Sequence, residues 1–429
     1  MAETFLALNE PAAAGGIERV RFFNGRLLSG GDLTREQDAA RARDALAGLA
    51  IGSGVVSGLE VVQTLADKAE AGAVVSVSAG LAIASDGTFL RLPGDQRLQL
   101  TRTGTAVATA GDTSEFGVCT TVNGGSYVAG EGLYLLVASP TSRTAGRAQV
   151  NGLPGDAASC NVDREIAAVA FRLLPVRQHL LNGLSQASDA FRNTVAYECF
   201  GSGILASWPV NLLARECRDD DLLAKLGEFG LTRSDVPLAL IAFTGALDLR
   251  FIDVWAVRRS CALADDTSPR NAATGSMTGP RRIAAGRAML AQFQDHLAAL
   301  RADAAGFPEV RARKHFPYLP PVGLLPQMDA AAASAFFGGM TVRGPVHLNA
   351  AQVEPLIRES LSAPAIRTGS NEVVWLYAVA ENLIEGAKAT AAAARPDPYL
   401  LFAAGNLPYR ADARFNLHRW NYANFAVSG

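Results

Sequence analysis

The sequence predicts an α+β protein: an N-terminal arm and helix, an antiparallel β-sandwich, a helical middle region and a mixed C-terminal domain. Three observations predict it. An Asp86-Gly87 pair stands between two apolar runs, the strongest short hairpin signal in the chain, in a region of partly alternating apolar residues. From Arg177 the apolar spacing becomes helical. His315 to Gln327 then carries four prolines, which forbid regular helix and favour an extended segment. These breaks divide the 429 residues into 1–50, 51–175, 176–310 and 311–429, ample chain for a sizeable core.

The arm reads R-F-F-N-G-R-L-L from Arg21, with Phe22, Phe23, Leu27 and Leu28 flanking a turn at Asn24-Gly25. Thr34 and Gln37 have capping-box spacing, and Ala39, Ala42, Leu46 and Leu49 supply a narrow apolar face at helical spacing. Strands are expected at Gly58 to Val62, Val74 to Val77, either side of Asp86-Gly87, Arg97 to Leu100 and Leu133 to Ser139. Ile166 to Leu174 reads as either a strand or a short helix. Gly124 to Gly132 and Pro140 to Ser159 are polar or glycine-rich enough to read as loops.

In the middle region, Leu180 to Tyr197 and Pro209 to Gly227 carry helical spacing. Val236 to Arg259 reads as a hairpin turning at Thr244-Gly245, its second strand ending in Arg258 and Arg259. Asp253 is an acid among apolar strand residues. Burial without a partner would be costly, so an ion pair to Arg258, Arg259 or another element is expected. A helix follows from Arg281 to about Ala305, with Ile283, Met289, Leu290, Phe293, Leu297 and Leu300 on one side. Later come a short helix from Asn349 to Leu361, N-capped by Asn349, and strands at Asn371 to Ala378 and Tyr399 to Ala403. Near the C-terminus, Phe415, Trp420, Tyr422 and Phe425 fall within a dozen residues. Such a tail either docks on its own core or forms an assembly surface.

Composition narrows the function. Lys plus Arg number 39 against 41 Asp plus Glu, a net charge of −2, which argues against a nucleic-acid partner held by clustered cations. No apolar run reaches the ~18 residues of a membrane-spanning helix, and the N-terminus lacks the pattern of a secretory signal. Cytoplasmic synthesis is the expectation. Five scattered cysteines exclude a local CxxC site; Cys160 and Cys199 could pair only through the fold.

Chemistry-bearing motifs are missing. The five histidines are isolated, with no HExxH and no carboxylate at metal-ligand spacing, so no metal and no cofactor are expected. There is no G-x-S-x-G elbow, P-loop or GxGxxG. Asp219, Asp220 and Asp221 are consecutive, so on a helix they point apart and cannot converge on one ion. Glu165, Asp248, Asp253 and Glu381 are the remaining candidates for a distant carboxylate pair.

Several blocks resemble a known family. R-F-F-N-G-R-L-L-S-G-G-D-L-T-R-E-Q, G-V-V-S-G-L-E-V, V-S-V-S-A-G-L-A-I-A-S-D-G and F-I-D-V-W-A-V-R-R are similar to blocks of structural proteins of contractile phage tails and phage tail-like injection particles. P-Y-L-P-P-V-G-L-L-P and A-R-F-N-L-H-R-W-N-Y-A-N-F-A look like later blocks of that family. A fainter similarity to the type VI secretion baseplate adaptor rests on the F-x-x-G-x-x-L arm, the Gln-bearing helix and the Pro-Pro segment. The resemblance implies a non-enzymatic subunit at or near a baseplate, an adaptor for tail fibres, and a trimer or higher ring. Its partners would be copies of itself and other tail or baseplate subunits. Phe22, Phe23, Leu27, Leu28 and Leu33, with Phe415, Trp420, Tyr422 and Phe425, would form the assembly interface. Two readings stand beside it: a carbohydrate- or receptor-binding module using Trp208, Trp255, Trp375 and Trp420, and a cell-wall hydrolase.

Overall fold

The computed structural model describes residues 15–64, 73–100, 131–149, 160–181, 183–201, 221–244, 248–263, 280–303, 310–370, 372–380 and 399–405. Within them the chain is a mixed α+β protein, as the sequence predicts. Helix α1 (Gly30–Ile51) precedes six short strands: β1 (Gly54–Gly58), β2 (Val61–Thr64), β3 (Val74–Val77), β4 (Gly80–Ile83), β5 (Phe89–Leu92) and β6 (Gln96–Gln99). They form two three-stranded antiparallel sheets, in the orders β1-β4-β5 and β2-β3-β6. Asp86-Gly87 lies in the turn joining β4 to β5, where Gly87 has a φ of +87° that glycine adopts without strain.

A third sheet is built on a long antiparallel ribbon, β7 (Gly132–Gln149) with β8 (Cys160–Val176). The expected Val236 hairpin joins it as β9 (Val236–Phe243) and β10 (Leu249–Asp253), giving the order β10-β9-β7-β8. One face of this sheet covers the small sheets, burying Val75, Val77, Leu90, Leu136, Leu238 and Ile241 among others. The other face packs on α2 (Phe191–Glu198), the short α3 (Leu222–Leu226) and the start of α4 (Pro280–Asp303). The alternation of Leu135 and Leu136, or Leu240 and Ile241, between the two cores follows from the strand period of two.

The C-terminal part holds a four-stranded sheet ordered β12-β16-β15-β13: β12 (Val322–Pro326), β13 (Thr341–Asn349), β15 (Val373–Ala380) and β16 (Tyr399–Ala404). β13 runs parallel to β15 and the other pairs are antiparallel. The Pro-rich segment is extended, as expected, forming β11 (Tyr318–Leu319) against β14 (Ile366–Arg367) and then β12. Helices α5 (Ala312–His315), α6 (Ala330–Phe337) and α7 (Ala350–Ser360) complete it.

Three sequence expectations are corrected, and one open alternative is decided. Ile166 to Leu174, left open between strand and short helix, is strand; Pro140 to Gln149, expected as loop, is the outer half of β7. The capping box of α1 is Ser29 with Asp32 rather than Thr34 with Gln37; the helix begins one turn earlier, and Thr34 Oγ1 donates to the Gly30 carbonyl. The apolar residues of α4 do not share one side. Ala285, Ala288 and Met289 enter one core, Phe293 and Leu297 a second, while Ile283 and Leu290 pack against a third, so α4 is a spine buried on several faces. Asn349 closes β13 immediately before α7.

Candidate assembly surface

Helix α1 starts from a fully satisfied cap. Ser29 Oγ accepts from the Asp32 amide at 3.1 Å, and Asp32 Oδ2 accepts from the Ser29 amide at 3.1 Å and from its hydroxyl at 2.9 Å. Arg26 reaches from the arm to Asp32 at 2.6 Å and lies 5.9 Å from the Phe23 ring. The Ser29 amide first, then its hydroxyl and the Arg26 guanidinium, hold the Asp32 carboxyl at about 2. The end of the arm is thereby fixed to the start of the helix.

The other end of α1 docks by backbone contact. A Cβ at Gly48 would lie 2.0 Å from the Gly87 carbonyl oxygen, and one at Gly87 would lie 2.0 Å from the Ala45 carbonyl oxygen. Only two glycines allow the helix and the β4–β5 turn to approach this closely. Between its ends α1 buries little: Asp32, Ala39 and Gly48 are its buried residues. Arg41 bridges to Glu165 of β8 at 3.9 Å, which sets the helix beside the outer ribbon.

The ribbon leaves the body at a polar staple. Asp235 accepts from Ser139 Oγ at 2.5 Å, from the Thr232 amide at 2.7 Å, and from Arg172. Burial pushes this carboxyl up, but those three bonds outweigh it and hold it below the ordinary range. Beyond Ala138, β7 has β8 as its only strand neighbour among the described residues. Val162, Arg164 and Ile166 lie at two-residue spacing on one face of β8, and Val162 is 55 % exposed.

Every described residue assigned to the assembly interface from sequence stands in solvent: Phe22, Phe23, Leu27, Leu28 and Leu33, with Phe23 63 % and Leu27 93 % exposed. Leu46 and Leu49, expected on the apolar face of α1, also stand in solvent, as do Ile51, Val162 and Ile166. Alternation in V-D-R-E-I was the available signal for the last two. Phe415, Trp420, Tyr422 and Phe425 lie outside the described residues.

The ion pair expected at Asp253 exists with a different cation. Asp253 Oδ2 accepts from Arg192 Nε at 2.9 Å and from Gln292 Nε2 at 2.9 Å, while Oδ1 accepts from the Ala256 amide at 3.0 Å. Arg258 and Arg259 turn away: Arg258 donates to the Gly58 carbonyl at 2.5 Å, and Arg259 to the Trp255, Ala256 and Arg258 carbonyls. The reason is geometric, because β10 ends at Asp253 and the chain then turns through Val254 to Val257. Arg259 stacks 4.0 Å from the Phe200 ring centroid, and burial lowers its pKa to about 10.

The candidate carboxylates do not converge. Glu165 is on the outer ribbon and Asp253 in the interior, while Glu381 lies outside the described residues. Asp221 caps α3 through the Ala224 amide; its neighbours Asp219 and Asp220 are outside the described residues. Cys199 is a free, buried thiol, not paired with Cys160. Among the described residues no group of three or more His, Cys, Asp or Glu is placed to hold a metal ion, and no helix is long and apolar enough to cross a membrane. Trp255 and Trp375 are half-buried; the Trp375 Nε1 atom is buried without a hydrogen-bond partner among the described residues, and Arg258 lies 5.3 Å from the Trp255 ring. Neither offers an open stacking platform for a sugar. Trp208 and Trp420 are outside the described residues.

Comparison with known proteins gives solved structures alone. No family model and no curated protein matches the chain. A crystal structure of TssK aligns over 68 % of this chain at 12 % identity and a TM-score of 0.26; the chain spans half the length of that relative. A TssK-TssF-TssG baseplate subcomplex of the type VI secretion system aligns over 67 % of this chain and 73 % of its own, at 14 % identity and a TM-score of 0.23. A baseplate complex from the type VI secretion system aligns over 82 % and 84 %, at 13 % identity and a TM-score of 0.23. Overlap this shallow carries no argument about function, which has to come from the chain's own surfaces.

Proposed function

We propose that this chain is a non-enzymatic structural subunit of a contractile, phage tail-like particle, placed at or near the baseplate, and that it works by assembling with copies of itself. The observation that carries this reading is the arm, α1 and outer ribbon, which hold their shape with little of their surface covered. A two-stranded ribbon and a helix with few buried residues are each marginal alone in water. A partner that covers them supplies the missing burial.

The occupant proposed is a second copy, closing a trimer or larger ring. The surface carries both signs of charge, with Arg35, Arg41 and Arg43 interleaved with Glu36, Asp38 and Asp44, so it can complement itself as the ring closes. Exposed Phe22, Phe23 and Leu27 provide the apolar anchors such contacts use. The quoted sequence blocks supply the particle and the baseplate; tail fibres and other baseplate subunits are the further partners they imply.

Light scattering on the full chain tests it. A trimer or larger species is expected at micromolar concentration, falling to monomer when Phe22→Asp and Leu27→Asp are combined. A wild-type chain that stays monomeric and joins no particle on co-expression with sheath, tube and baseplate genes overturns the reading.

A further inference from the structure

The richest feature outside the assembly surface is a polar seam between two helices. Asn193 and Tyr197 stand one turn apart on α2, and Gln292 and His296 one turn apart on α4. Asp253 ties the helices together by accepting from Arg192 of α2 and Gln292 of α4. All four helix residues are buried. Yet Asn193 Nδ2, Tyr197 Oη, Gln292 Oε1 and His296 Nδ1 have no hydrogen-bond partner among the described residues. A well-packed core holds few such atoms, and four at one junction mark a seam that is held weakly for its depth.

We propose that this seam is an acid-sensitive joint, in which protonation of His296 parts α4 from α2 and the Phe316 segment. The imidazole lies 4.7 Å from the Phe316 ring, which keeps water from that side of it. Arg192 on α2 faces it with a permanent positive charge, and His315 at the end of α5 adds another when protonated. The nearby anions are engaged elsewhere. Asp253 already accepts from Arg192, Gln292 and the Ala256 amide. Asp295, next to His296 on α4, interacts with Arg192, Asp253 and Trp255, and Asp189 is bridged to Lys314 at 3.2 Å. A proton on His296 would therefore be a second buried cation beside Arg192, relieved most directly by opening to water.

The sign follows from the same groups. Burial first, then Arg192 and His315, hold His296 well below the ordinary histidine value. Its contribution is complete above about pH 6.5 and lost as pH falls below that. His315 is lowered in the same direction, by burial and Lys314 against Asp189. Asp295 is raised by burial and by Asp253 against Arg192, so its protonation opposes the opening, but in a more acidic range. Between pH 7.5 and 5.5 one histidine shifts the open-to-closed ratio by about tenfold.

Amide hydrogen exchange of the full chain at those two pH values, corrected for intrinsic rates, reads the joint. Protection in α2 and the His296 half of α4 should fall about tenfold at pH 5.5, while β7 and β9 stay unchanged. His296→Phe, which keeps the ring contact with Phe316, should abolish the difference; His315→Phe should keep most of it. Carbon-13 histidine resonances of the unaltered chain give a second reading that needs no variant. Unchanged protection at pH 5.5, a pH effect that survives His296→Phe, or an ordinary titration of His296 with the seam closed would each overturn the proposal.

Discussion

Around Asp253, charged and polar groups lie buried while Phe251, Phe316 and Tyr318 screen them; along the arm, α1 and the outer ribbon, apolar side chains stand in water and charges bracket them. The first arrangement concentrates free energy in a few bonds that cannot be removed singly. The second leaves free energy unspent within one chain, available only when something covers it. Together they separate what holds this chain's fold from what would hold the proposed assembly.

Removing the central acid should have the largest effect. In Asp253→Ala, Arg192 keeps its charge with only 12 % of its side chain exposed, and the Ala256 amide and Gln292 lose their acceptor. Urea denaturation should show a loss of about 3–5 kcal/mol, the range for breaking one side of a buried pair. Arg258→Ala should cost less, because that cation bonds a carbonyl and leaves no buried anion behind. Equal losses would mean that Asp253 is not the anchor the geometry makes it.

Gly48→Ala ranks next, and its sign is informative. In a free helix alanine in place of glycine stabilises by up to about 1 kcal/mol. Here the added carbon meets the Gly87 carbonyl oxygen at 2.0 Å, so a net loss of about 1–3 kcal/mol is expected by thermal denaturation. A gain would show α1 to be undocked, and would remove the fixed end on which the proposed assembly surface depends.

Much of this was legible in the sequence, and the failures have physical causes. Asp86-Gly87, the Val236 hairpin and the Pro-rich extension announced themselves because turn chemistry and proline act locally. The exposed arm residues could be named because Phe22, Phe23 and Leu27 flank a turn with no apolar periodicity around them. Arg192 could not be named as the partner of Asp253, since it lies 61 residues away and nothing local selects it over Arg258. The outer half of β7 was hidden because T-S-R-T-A-G-R has the composition of a loop; its strand register comes from the pairing with β8. Thr34 and Gln37 have the box spacing in sequence, whereas the Arg26 contact that favours Ser29 with Asp32 exists only in three dimensions.

The cap gives a smaller, pH-dependent effect on the exposed side of the comparison. Asp32 sits at about 2, so its contribution is present above the ordinary 3.8 and lost as pH falls through 2. Amides in the first turn of α1 should lose exchange protection over that interval, and Asp32→Asn should remove the interval. Protection that persists in Asp32→Asn would show that a partner contact, not the box, holds this turn.

The smallest effect on the folded monomer is expected where the effect on assembly is largest. Phe22→Ser with Leu27→Ser removes two side chains that are 57 % and 93 % exposed. They touch little within the chain, so the unfolding free energy of the dilute monomer should change by no more than about 0.5 kcal/mol. The proposed oligomer should nonetheless dissociate at concentrations where the parent assembles, because the anchors of a protein interface contribute most of its binding energy. If the double variant instead unfolds with the monomer, the arm belongs to the fold. The division between buried seam and open surface would then disappear.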